Sequence, residues 1–409
     1  MGRVTELEVR LYGTAIGVLT RLPDDRNIFA FNQHYIDDPT RPTLSLSFKN
    51  RHGELITLNR LTPTRLSPFF ANLLPEGHMR NYLAARAQVL PQREFFLLWA
   101  LGRDLPGALT VYPSQPDTLP PESSEDSSSG ERNNRSTALQ FSLAGVQIKF
   151  SAIRAANGSL TIPIHGAGGS WIAKLPSVAQ PEIAENEYSM MELARRTGID
   201  VPEYAIVAVS NIADIPDAMG VAGANAFIIK RFDRAINGER VHSEDFAQIF
   251  GVYPADKYKQ ASYESLARVV LAETGETGIR EYVRRLVFNA LIGNGDIHLK
   301  NWSVIYPDKR NAALAPAYDF VSTIPYIHTD RLALNLAGSK EFSSLSDKQF
   351  ERFASKADLP VSVVLETVKA TVQNFAAVWS EARDLPLTHQ VKHTIDQHLK
   401  TIPIWTSHR

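Results

Sequence analysis

Runs of alternating apolar and polar residues, interrupted by stretches with helical spacing, occupy the chain as far as residue 112. The alternation over residues 7–19 and 43–48 predicts β-strands, because successive side chains of a strand point to opposite faces. Apolar residues three and four positions apart over residues 67–85 and 92–101 predict helices. The pattern therefore predicts a small α+β domain over residues 1–112.

The second half of the chain changes from strand-like to helix-like patterning after residue 230. A helix is predicted over residues 182–197, and Gly198 suits its C-terminal end. Strands are predicted over residues 139–153, 160–164, 170–174, 204–210 and 226–230. Further helices are predicted over residues 263–273, 279–291, 346–356 and 360–381. This order predicts a β-rich small lobe over residues 138–230 and a helical large lobe over residues 231–409.

Residues 113–137 separate the first domain from the small lobe. The segment is rich in Pro, Ser and acidic residues and contains almost no large apolar side chains. Such a composition buries too little apolar surface to offset the entropy lost on ordering. A flexible, solvated linker or loop is predicted here. The alternative is a segment whose serines accept phosphate.

Composition and charge narrow the class of protein. The chain has 409 residues and a formal net charge of −1, so it lacks the basic surplus typical of proteins that bind nucleic acid alone. It contains no cysteine, which leaves oxygen and imidazole as the ligands for any metal. The N-terminus does not resemble a signal peptide, and no run of about 18 apolar residues occurs. A cytoplasmic protein without a membrane segment is expected.

The strongest chemical signal lies in residues 293–301, Gly-Asn-Gly-Asp-Ile-His-Leu-Lys-Asn. Asp296 and Asn301 stand five positions apart, the spacing with which the catalytic loop of protein kinases places its base and a magnesium ligand. Beyond a predicted β-hairpin, Asp319 stands where kinases place a second magnesium-binding Asp, although Val321 replaces the glycine that follows there. The combination predicts phosphoryl transfer, with Asp296 as base and with Asn301 and Asp319 on Mg²⁺.

Each of these residues also has a purely structural interpretation. An Asp after Gly-Asn-Gly is a common turn residue, and Asn301 could cap a strand. His298 in such a loop is more often a structural hydrogen-bonding partner than an acid or base, and Lys300 could be a solvated charge. The prediction therefore rests on the whole arrangement rather than on any one residue.

The predicted small lobe contains residues suited to ATP phosphates. Lys174 ends a strand, and the following helix carries Glu185 and Glu187; a strand lysine paired with a helix glutamate is the kinase arrangement, and Glu187 is the preferred partner. Residues 142–149, Ser-Leu-Ala-Gly-Val-Gln-Ile-Lys, could cradle phosphates through backbone N–H groups. Residues 228–234 lie where a kinase hinge would meet adenine, with a simple domain crossover as the alternative.

Together these motifs resemble the HipA family of toxin kinases. Residues 142–149 match the family's phosphate-loop pattern, Ser-x-Ala-Gly-x-Gln-x-Lys, and residues 173–176 match its lysine strand. Other matching motifs lie at residues 72–75, 102–104, 107–108, 186–188, 201–202, 231–234, 295–301 and 318–319. The resemblance covers nearly the whole chain, and its separate motifs occur in the family's order.

The resemblance implies an α+β, two-lobe protein-kinase-like fold with an added N-terminal α+β domain. It implies a serine/threonine protein kinase that uses ATP and Mg²⁺, with Asp296 as catalytic residue and Glu187 in support. The residues implied for ATP binding are Ala144, Gly145, Val146, Gln147, Ile148, Lys149, Lys174, Lys230, Arg231, Phe232, His298, Leu299, Lys300, Asn301, Tyr318 and Asp319. Autophosphorylation is implied at Ser142, where a phosphate of about −1.5 to −2 charges would repel ATP phosphates and favour an ejected loop.

The resemblance also implies partners and a biological role. For some members of the family the substrate is an aminoacyl-tRNA synthetase, and the outcome is arrest of translation and dormancy. A HipB-like antitoxin with a helix-turn-helix is the expected partner, and it would supply most contacts to DNA, in keeping with the near-neutral charge of this chain. Residues 113–137 depart from the compact connection expected of the family.

Two other classes of function use similar residues. Small-molecule or lipid phosphotransferases of the aminoglycoside-kinase type also contain an Asp, a later Asn and a metal-binding Asp, and an acidic open cleft would favour them. A non-catalytic scaffold or DNA-binding regulator on a decayed kinase fold is disfavoured, because Lys174, Asp296, Asn301 and Asp319 are all retained.

Overall fold

The computed structural model describes residues 5–57, 61–114, 149–154, 160–161, 169–177, 180–213, 215, 224–235 and 237–409. Ser142 and residues 144–148 of the predicted phosphate loop lie outside the described residues, as do residues 115–137 of the predicted linker. Lys149, at the end of that loop, is described, and so are the other predicted site residues.

The N-terminal domain is an antiparallel sheet accompanied by short helices. The described strands are β1 Glu6–Leu11, β2 Thr14–Arg21, β3 Asn27–Phe31 and β4 Leu109–Pro113, in the spatial order β3-β2-β1-β4. The described helices are α1 Gln33–Asp37, α2 Pro68–Ala71, α3 Gly77–Arg86 and α4 Glu94–Leu101. Leu7, Val9 and Leu11 of β1 are buried in the core, in line with the alternating pattern of that strand.

Two predicted elements of this domain are interrupted. The alternation over residues 7–19 forms the β1–β2 hairpin, because Tyr12 and Gly13 turn the chain with positive φ angles of 52° and 81°. The helix predicted over residues 67–85 divides into α2 and α3, with Pro75 between them. A proline disfavours helical backbone in the residue before it, which accounts for the break.

The segment at residues 43–48 is not the strand that its alternation predicts. Leu46–Phe48 form a 3-10 helix, and the hydroxyl of Ser45 accepts a hydrogen bond from the N–H of Ser47 at its start. The N–H of Thr43 donates to the backbone oxygen of Lys309 at 2.8 Å, far along the chain. Its apolar side chains nevertheless pack into the core of the N-terminal domain, where the ring of Phe48 lies 5.5 Å from that of Phe69. The alternation therefore reflects burial in that core without membership of a sheet.

The small lobe is built on a six-stranded sheet, which carries one long helix. Its strands, in the spatial order β8-β10-β7-β5-β6-β9, are β5 Lys149–Arg154, β6 Leu160–Thr161, β7 Trp171–Lys174, β8 Tyr204–Ala208, β9 Ile212–Ala213 and β10 Asn225–Lys230. Helix α5, Ile183–Arg196, follows β7 and ends before Gly198, which has a φ of +88°. The antiparallel register of β5 and β7 places Lys149 opposite Lys174.

The large lobe combines a small sheet with long helices. The sheet contains β11 His242–Asp245, β12 Ser303–Tyr306 and β13 Ala313–Leu314. The helices are α6 Phe246–Ile249, α7 Tyr263–Leu291, α8 Asp347–Lys356, α9 Val361–Glu381, α10 His389–Thr401 and α11 Pro403–His408. The two helices predicted over residues 263–273 and 279–291 are confirmed: α7 is interrupted at Gly275, whose φ of +66° is not helical. Within the described residues, no helix is both long and apolar enough to cross a membrane.

Buried ion pairs join the N-terminal domain to the start of the large lobe. The guanidinium of Arg231 lies 2.9 Å from the carboxylate of Asp233 and 3.3 Å from that of Asp104. Arg234 bonds the same two carboxylates, at 2.9 and 2.8 Å, and the N–H of Gly107 donates to Asp233 at 2.7 Å. Each of these buried charges loses its hydration in the folded chain, and the attraction of the opposite charge offsets that loss.

Replacing Asp233 with Ala should destabilise the chain, because two buried arginines lose a shared counter-charge. Removing one partner of a buried ion pair typically lowers the free energy of unfolding by about 3–5 kcal/mol, and denaturant unfolding would measure the change. Asp24, whose exposed carboxylate lies 2.6 Å from Arg26, supplies the control, since Asp24→Ala should leave the transition in place. Coincident transitions for the two variants would contradict the role given to Asp233.

Candidate active site

The loop that follows α7 is shaped by two glycines. Gly293 has a φ of +66°, and a Cβ at this position would lie 2.5 Å from the side chain of Ile324. Its backbone oxygen accepts hydrogen bonds from the N–H groups of Thr323 and Ile324, at 3.1 and 3.3 Å. The N–H of Gly295 donates to the hydroxyl of Thr323 at 2.8 Å. The loop is thereby fixed against the chain that follows β13.

Asn294, in the middle of this loop, connects the two predicted acidic residues. Its side-chain oxygen accepts from the N–H of Asp296 at 3.0 Å, and its side-chain nitrogen donates to the backbone oxygen of Asp319 at 3.4 Å. The side chain of Asn301 donates to the backbone oxygen of Asp296 at 2.8 Å. The sequence analysis gave Asn294 no role, although a polar residue between two glycines next to Asp296 was a usable signal.

Tyr258 donates a hydrogen bond to the carboxylate of Asp296. Asp296 is exposed to solvent on one side and surrounded by protein on the others. The hydroxyl of Tyr258 donates to Oδ1 of Asp296 at 2.5 Å. Partial burial raises the pKa of Asp296, while the hydrogen bond from Tyr258 and the charge of Lys257 act in the opposite direction. A positioned carboxylate whose pKa is raised is suited to accept a proton. Tyr258 was not predicted, because nothing local in the sequence connects it with Asp296.

Asp319 lies beyond β13 between two ammonium groups. Its φ of +56° is in the left-handed region, which Asp tolerates better than most residues. Nζ of Lys149 is 3.1 Å from Oδ2 of Asp319, and Nζ of Lys174 contacts Oδ1. Burial raises the pKa of Asp319, but the two lysines outweigh burial and hold that pKa well below its usual range. The carboxylate is therefore ionised.

Lys174 is buried and contacts a second carboxylate, that of Glu187 on α5. Lys174 is 4% exposed and Glu187 is fully buried. Burial lowers the pKa of Lys174, but Asp319 and Glu187 outweigh it and raise that pKa, so the ammonium stays charged. Glu185, the other glutamate considered, instead accepts a hydrogen bond from Asn225 at 2.8 Å.

Asn186 fixes the helix that carries Glu187 to the large lobe. Its side-chain nitrogen donates to the backbone oxygen of Ser322 at 2.9 Å, and its side-chain oxygen accepts from the N–H of Ser322 at 3.0 Å. This paired contact lies three residues beyond Asp319, so it sets the distance between α5 and the Asp319 carboxylate. The sequence analysis noted Asn186 as part of a motif but did not assign it this contact.

The predicted hinge residues have contacts of different kinds. Nζ of Lys230 lies 3.5 Å from the carboxylate of Glu203, and the guanidinium of Arg231 belongs to the buried network with Asp104. The ring of Phe232 packs 5.5 Å from the ring of Tyr318. The aromatic pair lies next to Asp319, whereas the guanidinium of Arg231 joins the N-terminal domain to the large lobe. Their contacts with ATP remain predictions.

Three residues of the Asp296 loop that were predicted to bind ATP are buried in the protein or contact other parts of it. Burial, followed by the charge of Lys257, lowers the pKa of His298 to about 3, so this imidazole is neutral at physiological pH. Leu299 is fully buried in the core. Nζ of Lys300 lies 2.9 Å from the carboxylate of Glu76, in the N-terminal domain. Their part in ATP binding stays a prediction.

The arrangement supplies the groups that phosphoryl transfer needs. Asp296 offers a proton acceptor, and Lys149 and Lys174 offer positive charge for phosphate oxygens. The carboxylate of Asp319 and the side-chain oxygen of Asn301 are hard ligands of the type that Mg²⁺ takes alongside phosphate oxygens. The side-chain nitrogen of Asn301 already bonds to Asp296, which leaves its oxygen as the ligand atom.

A β-rich lobe, a helical lobe and this set of charged residues between them define the class as protein-kinase-like. The sequence matches two family models, described as the HipA N-terminal domain over residues 7–112 and the HipA-like C-terminal domain over residues 141–379. The chain belongs to the HipA family, which confirms the family predicted from the motifs.

Relatives and a solved structure agree with this assignment. The chain is 51% identical over 409 residues to the protein Y4dM of Sinorhizobium fredii, which is named as a kinase, with 99% of each chain covered. It is 25% identical to the serine/threonine-protein kinase toxin HipA of Shewanella oneidensis, over 88% of this chain and 86% of that one. The structure of Shewanella oneidensis HipA with HipB and operator DNA matches 98% of this chain and 96% of that chain, with a TM-score of 0.73 and 21% identity. The predicted α+β, kinase-like fold is confirmed, and the relatives are kinases by name.

Replacing Glu187 with Gln should weaken nucleotide binding, because Lys174 loses one of the two carboxylates that orient it. Hydrogen bonds to charged groups contribute about 1.5–3 kcal/mol, so a loss of about tenfold or more in affinity is expected. Titration with a fluorescent ATP analogue would measure it. Glu185→Gln on the same helix is the matched control, since Glu185 contacts Asn225. Undiminished affinity in Glu187→Gln would contradict this role.

Proposed function

We propose that the chain is a Mg-ATP-dependent serine/threonine protein kinase and the toxin of a toxin–antitoxin module. The observation that carries the proposal is the buried Lys174–Glu187 pair on the Asp319 carboxylate, joined through Asn294 to the solvent-facing Asp296. In protein kinases the corresponding lysine, glutamate and two aspartates are the parts that must be in place for transfer. Several mutually bonded groups support this function more strongly than a sequence spacing alone.

In the proposed reaction the oxygen of the acceptor hydroxyl bonds to the γ-phosphorus of ATP, and Asp296 accepts the proton of that hydroxyl. The bond from that phosphorus to the β–γ bridging oxygen breaks, and ADP leaves. Lys149 and Lys174 would contact phosphate oxygens, and Asp319 with Asn301 would hold the metal. When bound, Mg²⁺ neutralises charge on the phosphate oxygens. Tyr258 orients the carboxylate of Asp296 from the side.

The regulatory part of the proposal concerns Ser142 and the partners of the chain. Ser142 is the proposed site of autophosphorylation, and its phosphate would exclude ATP from the site by repulsion. Shewanella oneidensis HipA forms a complex with HipB and operator DNA; by analogy, a HipB-like helix-turn-helix antitoxin binds this chain and supplies most DNA contacts. The proposed substrate is a cytoplasmic translation protein of the aminoacyl-tRNA synthetase type, whose phosphorylation arrests growth.

Replacing Asp296 with Asn should slow transfer strongly, because an amide does not accept the proton. Purified protein incubated with radiolabelled ATP and Mg²⁺ should acquire label on Ser142, located by peptide mapping, whereas Asp296→Asn should be slower by about 10²–10⁴. Asp384→Asn, at an exposed carboxylate that pairs with Arg196, is the control and should label normally. Full labelling of Asp296→Asn would refute the role of this residue, and label elsewhere would refute the role of Ser142.

Replacing Asp319 with Asn should remove the dependence of nucleotide binding on Mg²⁺. Asn is the suitable substitution, because it tolerates the left-handed backbone of this position and has the same shape. Binding of a fluorescent ATP analogue would be titrated with Mg²⁺, and with EDTA as the metal-free reference. The wild type should bind more tightly with Mg²⁺, and Asp319→Asn should bind equally with and without it. An unchanged Mg²⁺ response in the variant would show that Asp319 does not hold the metal.

A further inference from the structure

A carboxylate of the N-terminal domain reaches the loop that carries Asp296. Glu76 immediately precedes α3, and its Oε1 lies 2.9 Å from Nζ of Lys300. Its Oε2 lies 3.0 Å from Nζ of Lys257, so each oxygen of one carboxylate holds a different lysine. Nζ of Lys300 also donates to the backbone oxygen of Asn72 in the same domain, at 3.1 Å.

Each of these lysines directly precedes a residue that contacts Asp296. Lys257 precedes Tyr258, whose hydroxyl donates to the carboxylate of Asp296 at 2.5 Å. Lys300 precedes Asn301, whose side chain donates to the backbone oxygen of Asp296 at 2.8 Å. The side chain and the backbone of Asp296 are therefore each held by a segment that is tied to the N-terminal domain.

Opposite charges strengthen the contacts of Glu76 with Lys257 and Lys300. The side chain of Glu76 is 32% exposed, and those of Lys257 and Lys300 are 21% and 16% exposed, so the three groups are partly shielded from water. Burial raises the pKa of Glu76, but Lys300 and Lys257 outweigh burial and lower that pKa, which keeps the carboxylate ionised. Hydrogen bonds between ionised groups are shorter and stronger than those between neutral groups. The next acid near Lys300, Asp245, is farther away at 3.9 Å.

We propose that Glu76 is a positioning residue for Asp296, through which the N-terminal domain takes part in phosphoryl transfer. One arm runs through Lys257 and Tyr258 to the carboxylate, and the other runs through Lys300 and Asn301 to the backbone. The inference rests on the proposed function, since Asp296 must be the base for its position to matter. Displacement of a reacting group by about 1 Å can reduce a rate by about 10²-fold, so a remote carboxylate can have a measurable effect.

Replacing Glu76 with Gln keeps the shape of the side chain and removes its charge. The maximal rate of label transfer from radiolabelled ATP into the chain should fall by about tenfold, part of the loss that misplacement of a reacting group can cause. The dissociation constant of a fluorescent ATP analogue, measured with EDTA so that the metal ligand Asn301 does not contribute, should stay unchanged, because Glu76 bonds to neither Lys149 nor Lys174. Thr43→Val removes another hydrogen bond between the same domains, from Oγ1 of Thr43 to the backbone oxygen of Arg310, and should keep the full rate.

A double-mutant cycle with Tyr258→Phe separates positioning from a general loss of structure. If Glu76 acts through the Tyr258 arm, Glu76→Gln combined with Tyr258→Phe should be little slower than the slower single variant. Lys300→Met tests the other arm in the same way, through the contact of Lys300 with Glu76. If the loss from Glu76→Gln multiplies both with that of Tyr258→Phe and with that of Lys300→Met, or if Thr43→Val is as slow as Glu76→Gln, the proposal is overturned. Thermal unfolding of all variants would be recorded, and Glu76→Gln should remain folded at the temperature of the rate assay.

The outcomes also distinguish this inference from the proposed function. A full rate in Glu76→Gln, together with an inactive Asp296→Asn, would overturn the role of Glu76 and leave the base in place. A wild-type chain that transfers no label, or an Asp296→Asn variant that transfers it normally, would overturn the proposed function and this inference with it.

Discussion

The partly buried carboxylate of Asp319, with the two lysines around it, is the contact on which the arrangement of the lobes depends. Lys174 is 4% exposed, and an ammonium so buried stays charged only beside counter-charges. Glu187 from α5 and Asp319 from the large lobe provide them, while the β5–β7 register brings Lys149 to the same carboxylate. Two lobes and one helix are therefore held by a single cluster of charges, the same charges that phosphate and metal would meet.

The N-terminal domain is attached by buried polar contacts rather than by apolar packing alone. Asp104 shares Arg231 and Arg234 with Asp233, and the imidazole of His242 lies 2.7 Å from the backbone oxygen of Leu44. Motifs at residues 102–108 and 231–234, far apart in sequence, are parts of this one network. Their joint presence in the chain has a physical reason, since neither set of buried charges is stable without the other.

The elements were predicted correctly where the backbone hydrogen bonds stay within a helix or its sheet, and incorrectly where a distant part of the chain provides the partner. Helix α5 and strand β7 are close to the elements predicted from periodicity, and Gly198 ends α5 with a positive φ. At residues 43–48 the alternating apolar side chains also pack into the N-terminal core, but the N–H of Thr43 donates to Lys309 of the large lobe and a 3-10 helix forms instead of a strand. Periodicity records which side chains are buried, but not where the backbone makes its hydrogen bonds.

The sequence by itself determined the chemistry of this protein: an Asp and an Asn five positions apart on one loop, a second Asp behind a hairpin, and a lysine on a strand. Those features are local, and residue type with spacing specifies them. The sequence also favoured Glu187 over Glu185 as the partner of Lys174, and the structure has that pair. Only the tertiary structure decided that Tyr258 bonds to Asp296 and that Lys300 contacts Glu76. Such pairings depend on which side chains the folded chain brings within hydrogen-bonding distance, and sequence spacing does not encode that distance.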